Sequence, residues 1–403
     1  MTWYVALALG LAVLFYAAIP GIGGLLARGR WRVFRRTVVD VSRYPTAGPK
    51  SAGREPNVFV GLYRFFGTLE AIQGDDRIWI TNGRFSVAAD LRDVRVYLLP
   101  EGGGGSEAGA DAGEGDLRSV PWSSIFSLPE GTPVLVGGAL FSEEGRGVFR
   151  AHGRNQLLVV IHDCPRESIM ERVIWGGRHR NEYMNPFTLP SVATGALSLV
   201  ILAYSLLANP ENRIAALVSL TVGLAPVSPF LPPGFPLYFA YRHFWKKARL
   251  MRAHRDVVRL PLRYFPRLPG AGRARQATLL PDMEPYIMIR GTLRSDPPAI
   301  VSEGVAAALP EPLQEISEGL PGSERAAECV VFGAYREQGD GIALSRPEDP
   351  MAELVLVRGD PETIAGACDR AALRGEIVSA LFIALNIAVN LPLVFLILSL
   401  LVR

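Results

Sequence analysis

The sequence predicts an α+β membrane protein with four transmembrane helices and two small antiparallel β domains, arranged as an internal duplication. Three observations carry that expectation. Long uncharged apolar runs open, divide and close the chain. Arginine-rich stretches flank those runs on one consistent side. Between them lie two regions of short Val-, Ile- and aromatic-rich runs whose order repeats.

The first apolar run, residues 3–26, carries no charge. A helix rises about 1.5 Å per residue, so this run is long enough for a hydrocarbon layer of about 30 Å. Nothing basic precedes it, whereas Arg28, Arg30, Arg32, Arg35 and Arg36 follow. That asymmetry predicts an uncleaved anchor with its N-terminus outside. The first β domain then covers 37–180. Within it, residues 102–116 are glycine-rich and acidic, with no apolar residue larger than alanine. This composition predicts a disordered loop.

A second span fits 187–208, and the polar turn NPENR at 209–213 returns the chain into a third apolar run, 214–241. This run holds Pro226, Pro229, Pro232, Pro233 and Pro236. Each interior proline removes a backbone hydrogen bond. Broken backbone at membrane depth needs shielding by protein. A third span broken at these prolines is therefore expected, with the prolines acting as the hinge between two halves of the chain.

The segment 242–275 follows, with eleven Lys or Arg against one acid, Asp256. It reads as a basic interfacial element. Trp245, Lys246, Lys247, Arg249 and Arg252 are its candidates for contact with lipid headgroups, because aromatic and basic residues together favour an anionic interface. The second β domain covers 284–366, with a short helix expected within 303–320. The last span, 377–402, carries Asn386 and Asn390 four positions apart on one helical face. They form a candidate polar patch, either for interhelical hydrogen bonds or for a substrate or partner helix. Together the flanks place both termini outside and both β domains in the cytoplasm of a bacterial inner membrane.

The repeat rests on three ordered blocks. VLVGGALFSEEGRGVF (134–149) parallels CVVFGAYREQGDGIAL (329–344), with Gly145 and Gly147 set against Gly339 and Gly341 through one gap. FFGTLEAI (65–72) parallels MIRGTLRS (288–295). LLVVIHDCPRESI (157–169) parallels ELVLVRGDPETI (353–364). Runs such as DRIWITNGRFSVAAD and TPVLVGGAL read as strands, and EEGRG and EQGDG as hairpin turns. Several short strands per region suggest an OB-like barrel or a strongly bent sheet.

The search for chemistry yields exclusions. The four glycines at 102–105 are not followed by Lys-Ser/Thr entering a helix, so no phosphate cradle is predicted. No Gly-x-Ser-x-Gly or His-Glu-x-x-His occurs. Cys164, Cys329 and Cys368 lack metal-ligand spacing. His162 and Cys164 share a strand face without a helper carboxylate, which favours a structural role. The net charge is +3 among 403 residues, and the β regions lack a basic-aromatic stripe, so nucleic acid is not an expected partner. No catalytic residue, cofactor or metal is predicted. The expected role is non-enzymatic: a scaffold, adaptor or assembly factor with protein partners and lipid contacts. The competing reading is an accessory or membrane subunit of a transport system.

Overall fold

A computed structural model describes residues 2–49, 57–100, 117–125, 127–143, 145–153, 156–265, 274–277, 284–295, 298–302, 305–310, 313–323, 327–338 and 341–401. The expected loop 102–116 lies outside them. So do Glu144, Gly339 and Asp340 of the expected hairpin turns. The fold is mixed α and β, in two compact units. One comprises Met1–Arg32, Arg178–Ala253 and Cys368–Arg403. The other comprises Val33–Gly177 and His254–Ala367.

The first unit is helical. Helix α1 (Thr2–Ala12) passes through a π turn (Val13–Ala18) into α2 (Ile19–Val41). The seven-residue helix α3 (Ile169–Trp175) belongs to the second unit, and α4 (Thr188–Leu207), α5 (Arg213–Gly223), α6 (Gly234–Arg259) and α7 (Pro361–Leu401) follow in chain order. Among the described residues, three helical stretches are long and apolar enough to cross a membrane: Trp3–Val41, Arg166–Leu207 and Pro361–Leu401. The chain reads as a membrane protein on that ground.

Small residues bring the helices of this unit together. Along α4 the buried positions are Ser191, Gly195, Leu199, Ala203 and Leu206, one per turn. A Cβ on Gly195 would stand 2.5 Å from Phe15 Cβ. Ser191 Oγ donates to the Phe15 carbonyl at 2.6 Å, and Ser219 Oγ to the Leu199 carbonyl at 2.8 Å.

The expected third span is divided. Helix α5 stops at Gly223, residues 224–233 form turns with a single 3₁₀ turn (Ser228–Phe230), and α6 starts at Gly234. The sequence boundary at 241/242 does not exist: α6 runs unbroken through the aromatic residues into the basic ones. Pro236 lies inside its first turn, where the missing N–H has no intrahelical partner to lose.

The second unit contains two β-sheets, each with five strands closed into a ring. In the first, β1 (Val58–Gln73), β2 (Arg77–Thr81), β3 (Ser86–Asp90), β6 (Pro133–Glu143) and β7 (Arg146–Arg150) pair in the order β1-β2-β3-β7-β6-β1. Strands β4 (Arg95–Leu99), β5 (Arg118–Pro121) and β8 (Leu158–His162) extend it in the order β6-β8-β4-β5. In the second, β10 (Tyr286–Ser295), β11 (Pro298–Ser302), β12 (Val305–Ala308), β14 (Cys329–Gln338) and β15 (Gly341–Ser345) pair as β10-β11-β12-β15-β14-β10. Here β9 (Ala274–Gln276), β13 (Gln314–Glu315) and β16 (Val355–Arg358) are the additions.

Two expectations are corrected. The sheets are not wholly antiparallel: β3 runs parallel to β7, and β12 parallel to β15. A closed ring with an odd number of strands cannot alternate direction throughout, so one parallel pair is forced. The helix expected within 303–320 is absent from its described residues. The alanine-rich stretch Val305–Ala308 instead forms β12, paired to β11 and β15, with Ala307 fully buried. Burial and strand pairing override alanine's helical preference there.

The registers of the two rings coincide. Gly67 faces Val134 as Gly291 faces Cys329, and Tyr63 faces Gly138 as Ile287 faces Gly333. Glu143 pairs with Arg146 as Gln338 pairs with Gly341. This last correspondence aligns 134–149 with 329–344 without a gap. The Gly-x-Gly pairs therefore sit one position out of step, and Gly145, at φ 79°, has no glycine counterpart. Gly67 and Gly291 share a steric demand. A Cβ on Gly67 would lie 2.5 Å from the Thr81 carbonyl oxygen, and one on Gly291 would collide with the Val301 carbonyl.

Candidate functional site

The most elaborate polar arrangement lies between the two barrels. It starts where a helix delivers the chain to each of them. Helix α2 ends in the turn at Ser42, and α6 ends in the 3₁₀ turn Pro261–Tyr264. These two ends meet, since Arg263 Nε donates to Ser42 Oγ at 2.9 Å. Arg263 Nη1 donates to both Glu353 carboxylate oxygens at 2.9 and 2.8 Å and to the Leu260 carbonyl at 2.6 Å. Its Nη2 donates to the Met351 carbonyl, and to the Tyr264 hydroxyl at 3.0 Å. The planar guanidinium thus fixes five partners on three segments, which a lysine could not do.

Arg64 on β1 repeats the motif from the other side. Its Nη1 donates to the Ser42 carbonyl at 3.0 Å and its Nη2 to Asp349. Tyr286 on β10 donates to the Glu353 carbonyl at 2.7 Å. The Arg263 side chain is 3% exposed and that of Arg64 5%.

Burial pushes the Tyr264 hydroxyl's pKa up and that of Tyr286 further, so both remain hydrogen-bond donors. Burial also raises the Glu353 carboxyl, against the pull of Arg263. Burial works against the charge of Arg263 as well, yet Glu353 holds its pKa above the ordinary value. What this arrangement does chemically is lock: apart from the buried Arg64 Nε, its side-chain donors bind acceptors across the barrel junction. Beside it opens a small cleft of about 50 Å³, lined by Glu167, Glu171, Arg346, Gln314, Asp349 and apolar residues of 347–355. Sequence reasoning missed the lock. Its only signal was an arginine in an apolar strand run, Arg64 among Phe and Tyr, which marks a buried charge needing partners.

The residues singled out from the sequence are placed as follows. Pro226, Pro229, Pro232 and Pro233 lie in the interruption between α5 and α6, and Pro236 in the first turn of α6. Trp245 packs edge-on against Tyr183 with ring centroids 5.3 Å apart. Lys247 is exposed and Lys246 half-buried. The Arg249 guanidinium lies 5.9 Å from the Tyr183 ring centroid. The Arg252 fork binds Glu376 at 3.1 and 3.0 Å and Asp369 at 2.6 Å, so it ties α6 to α7. Asn386 and Asn390 are both buried. Asn386 Nδ2 donates to the Gly234 carbonyl at 2.5 Å, and Asn390 Nδ2 to Asn386 Oδ1 at 3.0 Å. Together they hold the first turn of α6 where the chain re-enters a helix.

His162 and Cys164 are both buried. His162 Nδ1 lies 3.0 Å from the Cys164 carbonyl, and Nδ1–H is the tautomer that satisfies it. Burial lowers the His162 pKa, and the neutral ring closes the turn after β8. No protein family, curated protein or solved structure matches the chain.

Proposed function

We propose that this chain is a bacterial inner-membrane scaffold that presents two OB-like barrels, arisen by duplication, as one rigid cytoplasmic platform for protein partners. The observation that carries this reading is the buried junction. Arg263, Arg64, Ser42, Asp349 and Glu353 fix one barrel against the other, and fixed geometry between two like modules is what a scaffold needs. The shared register of the rings supports duplication, as does the helix that leads into and out of each barrel.

The junction also bears on topology. Barrels clasped together lie on one side of a membrane. The chain between them must then cross an even number of times, and α4 is one crossing. Helix α5 rises only about 16 Å. The return is therefore made by α5, the proline turns and the start of α6 together, as a fourth, composite pass. Asn386 and Asn390 shield part of its broken backbone.

Photo-crosslinkers at exposed barrel positions, such as Arg92 and Arg336, test the reading in native membranes. A scaffold yields the same discrete adduct from both barrels, and Arg263→Met weakens the adduct from the second. Absence of any discrete adduct from either barrel would contradict it. The second reading, a membrane subunit of a transport system, draws on the interrupted backbone beside Asn386 and Asn390. It predicts that Asn386→Leu abolishes an uptake phenotype while leaving the adducts intact.

A further inference from the structure

We infer that the outer face of the first barrel is a docking surface for an acidic, proline-containing segment of a partner protein. Trp79 and Arg146 hold one end of that segment, and Phe59, Phe141 and His152 the other. The inference rests on the scaffold reading and gives one barrel its partner chemistry. Strand pairing sets Trp79 opposite Ala88, Ala88 opposite Val148, Val148 opposite Phe141 and Phe141 opposite Phe59. These positions form a stripe across β2, β3, β7, β6 and β1. It lies outside the ring, because the neighbours Ile78, Ile80, Val87, Leu140 and Phe149 fill the inside. In the second ring the places of Trp79, Ala88, Val148 and Phe141 hold Ala299, Ala308, Ala343 and Arg336. The same registers close there without aromatic rings, so ring closure does not account for the aromatics of the first barrel.

Ala88 and Val148 are buried, so what reaches solvent is a ring patch at either end of the stripe. At one end, Trp79 Nε1 donates to Gln73 Oε1 at 2.9 Å, and the Arg146 guanidinium lies 5.2 Å from the indole centroid. Glu143, directly across the ladder from Arg146, binds Arg77 at 3.2 Å and Arg150 at 3.0 Å instead. Arg146 is exposed and makes no ion pair among the described residues, so its charge is open to a carboxylate. At the other end, Phe59 lies 5.6 Å from Phe141 and 5.2 Å from His152, centroid to centroid, with Phe59 and His152 both exposed. Three ladder spacings of about 4.8 Å separate Trp79 from Phe141, about 14 Å in all. A polyproline chain rises about 3.1 Å per residue, so side chains about four residues apart reach both patches. The ladder bonds of these strands are made within the closed ring, so the face does not invite strand addition. A polyproline segment needs none, and such segments dock on aromatic-lined surfaces. Two separated patches do not match the continuous apolar stripe of an amphipathic helix. Single-stranded nucleic acid wants a track of free cations, whereas Arg77, Arg92 and Arg150 are engaged by Glu143 and Asp90.

The probe is a displayed library of random linear peptides, panned on the full-length chain in phosphatidylcholine nanodiscs. Selected peptides are expected to carry proline with Asp or Glu about four residues away. Synthetic copies should lose about 30-fold in affinity on Trp79→Ala and on Phe59→Ala, the size of an interface hot spot. Phe59 is exposed, so Phe59→Ala reads the surface even where Trp79→Ala fails to fold. Arg146→Glu, panned afresh, should select Lys or Arg where the wild type selects Asp or Glu. Arg336→Ala, at the place of Phe141 in the second ring, should leave binding unchanged. Selected peptides without proline or acids, or binding that survives Phe59→Ala, would overturn the inference. Oligo-dT bound at equal affinity and lost in the same variants would make the face a nucleic-acid surface and overturn it too. So would dimers of the chain that Phe59→Ala dissolves, since the face would then join two copies. The two readings fail separately. Absence of discrete adducts in native membranes sinks the scaffold, whereas a chain that gives those adducts but selects no peptide on this face sinks the docking surface alone.

Discussion

Phe149 and Leu344 occupy equivalent places on equivalent strands, facing Leu140 in one barrel and Tyr335 in the other. Around Phe149 the first barrel packs Phe65, Ile78, Ile80, Val136 and Trp122, all buried in one apolar cluster. Around Leu344 the second has a leaner set, Ile287, Ile289, Ile300, Val331 and Leu356, with the small residues Ala307 and Cys329 among them. The second barrel turns its large aromatics elsewhere. Tyr286 and Phe332 pack with Tyr264 and Phe265, next to the Arg263 lock. Identical pairing is thus stabilised in two ways. One ring stands mainly on its apolar interior, and the other leans on a buried polar junction with the first. Matching strand registers fix a topology, while the side chains decide what each ring depends on.

The largest expected effect breaks that dependence. Arg263→Met leaves Glu353 buried without its partner, a loss of about 3–5 kcal/mol. Hydrogen exchange should rise across β10 and β14 while β1 and β6 stay protected. Uniform loss of protection in both barrels would erase the distinction. A middle-sized effect probes what the barrels share. Gly67→Ala and Gly291→Ala each drive a Cβ into a neighbouring strand's carbonyl, costing about 1–3 kcal/mol. Thermal melts should show both variants destabilised, and a silent Gly291→Ala would deny the common register. The smallest effect is confined to the first barrel. His162 has a pKa lowered by burial from the ordinary 6.5. Its contribution is fully present above pH 6.5. It is lost as pH falls towards the lowered value, because the unfolded chain takes a proton that the buried ring resists. His162→Gln should flatten the decline of stability below pH 6.5, read by denaturant titration, and an unchanged slope would refute the assignment.

Much of this architecture is written in local pattern. The uncharged runs mark the long helices because length and hydropathy act residue by residue. The GTL triplets at 67–69 and 291–293 locate matching strands, since glycine is required wherever another backbone presses close. The break before Gly234 is legible because proline's lost donor is a local fact. The lock was not legible. Ser42, Arg64, Arg263, Asp349 and Glu353 are up to 311 residues apart in a chain of 403, and no local rule pairs a helix end with a distant loop. The same limit applies to Arg252. Sequence placed it among basic neighbours, and only the proximity of α7 gives it two carboxylates. The β12 stretch misled for a related reason: alanine favours helix in isolation, and only its neighbours β11 and β15 make it a strand.

The central claim is that both barrels sit clasped on one membrane face, with the chain returning through the proline-broken segment. Single cysteines at Arg92 in the first barrel, Glu211 in the α4–α5 turn and Arg336 in the second barrel test it directly, because all three positions are exposed and Cys164, Cys329 and Cys368 are buried. An impermeant maleimide is applied to sealed vesicles of each orientation. The account predicts that Arg92→Cys and Arg336→Cys label from the same side and Glu211→Cys from the opposite one. Labelling of Arg92→Cys and Arg336→Cys from opposite sides would contradict it.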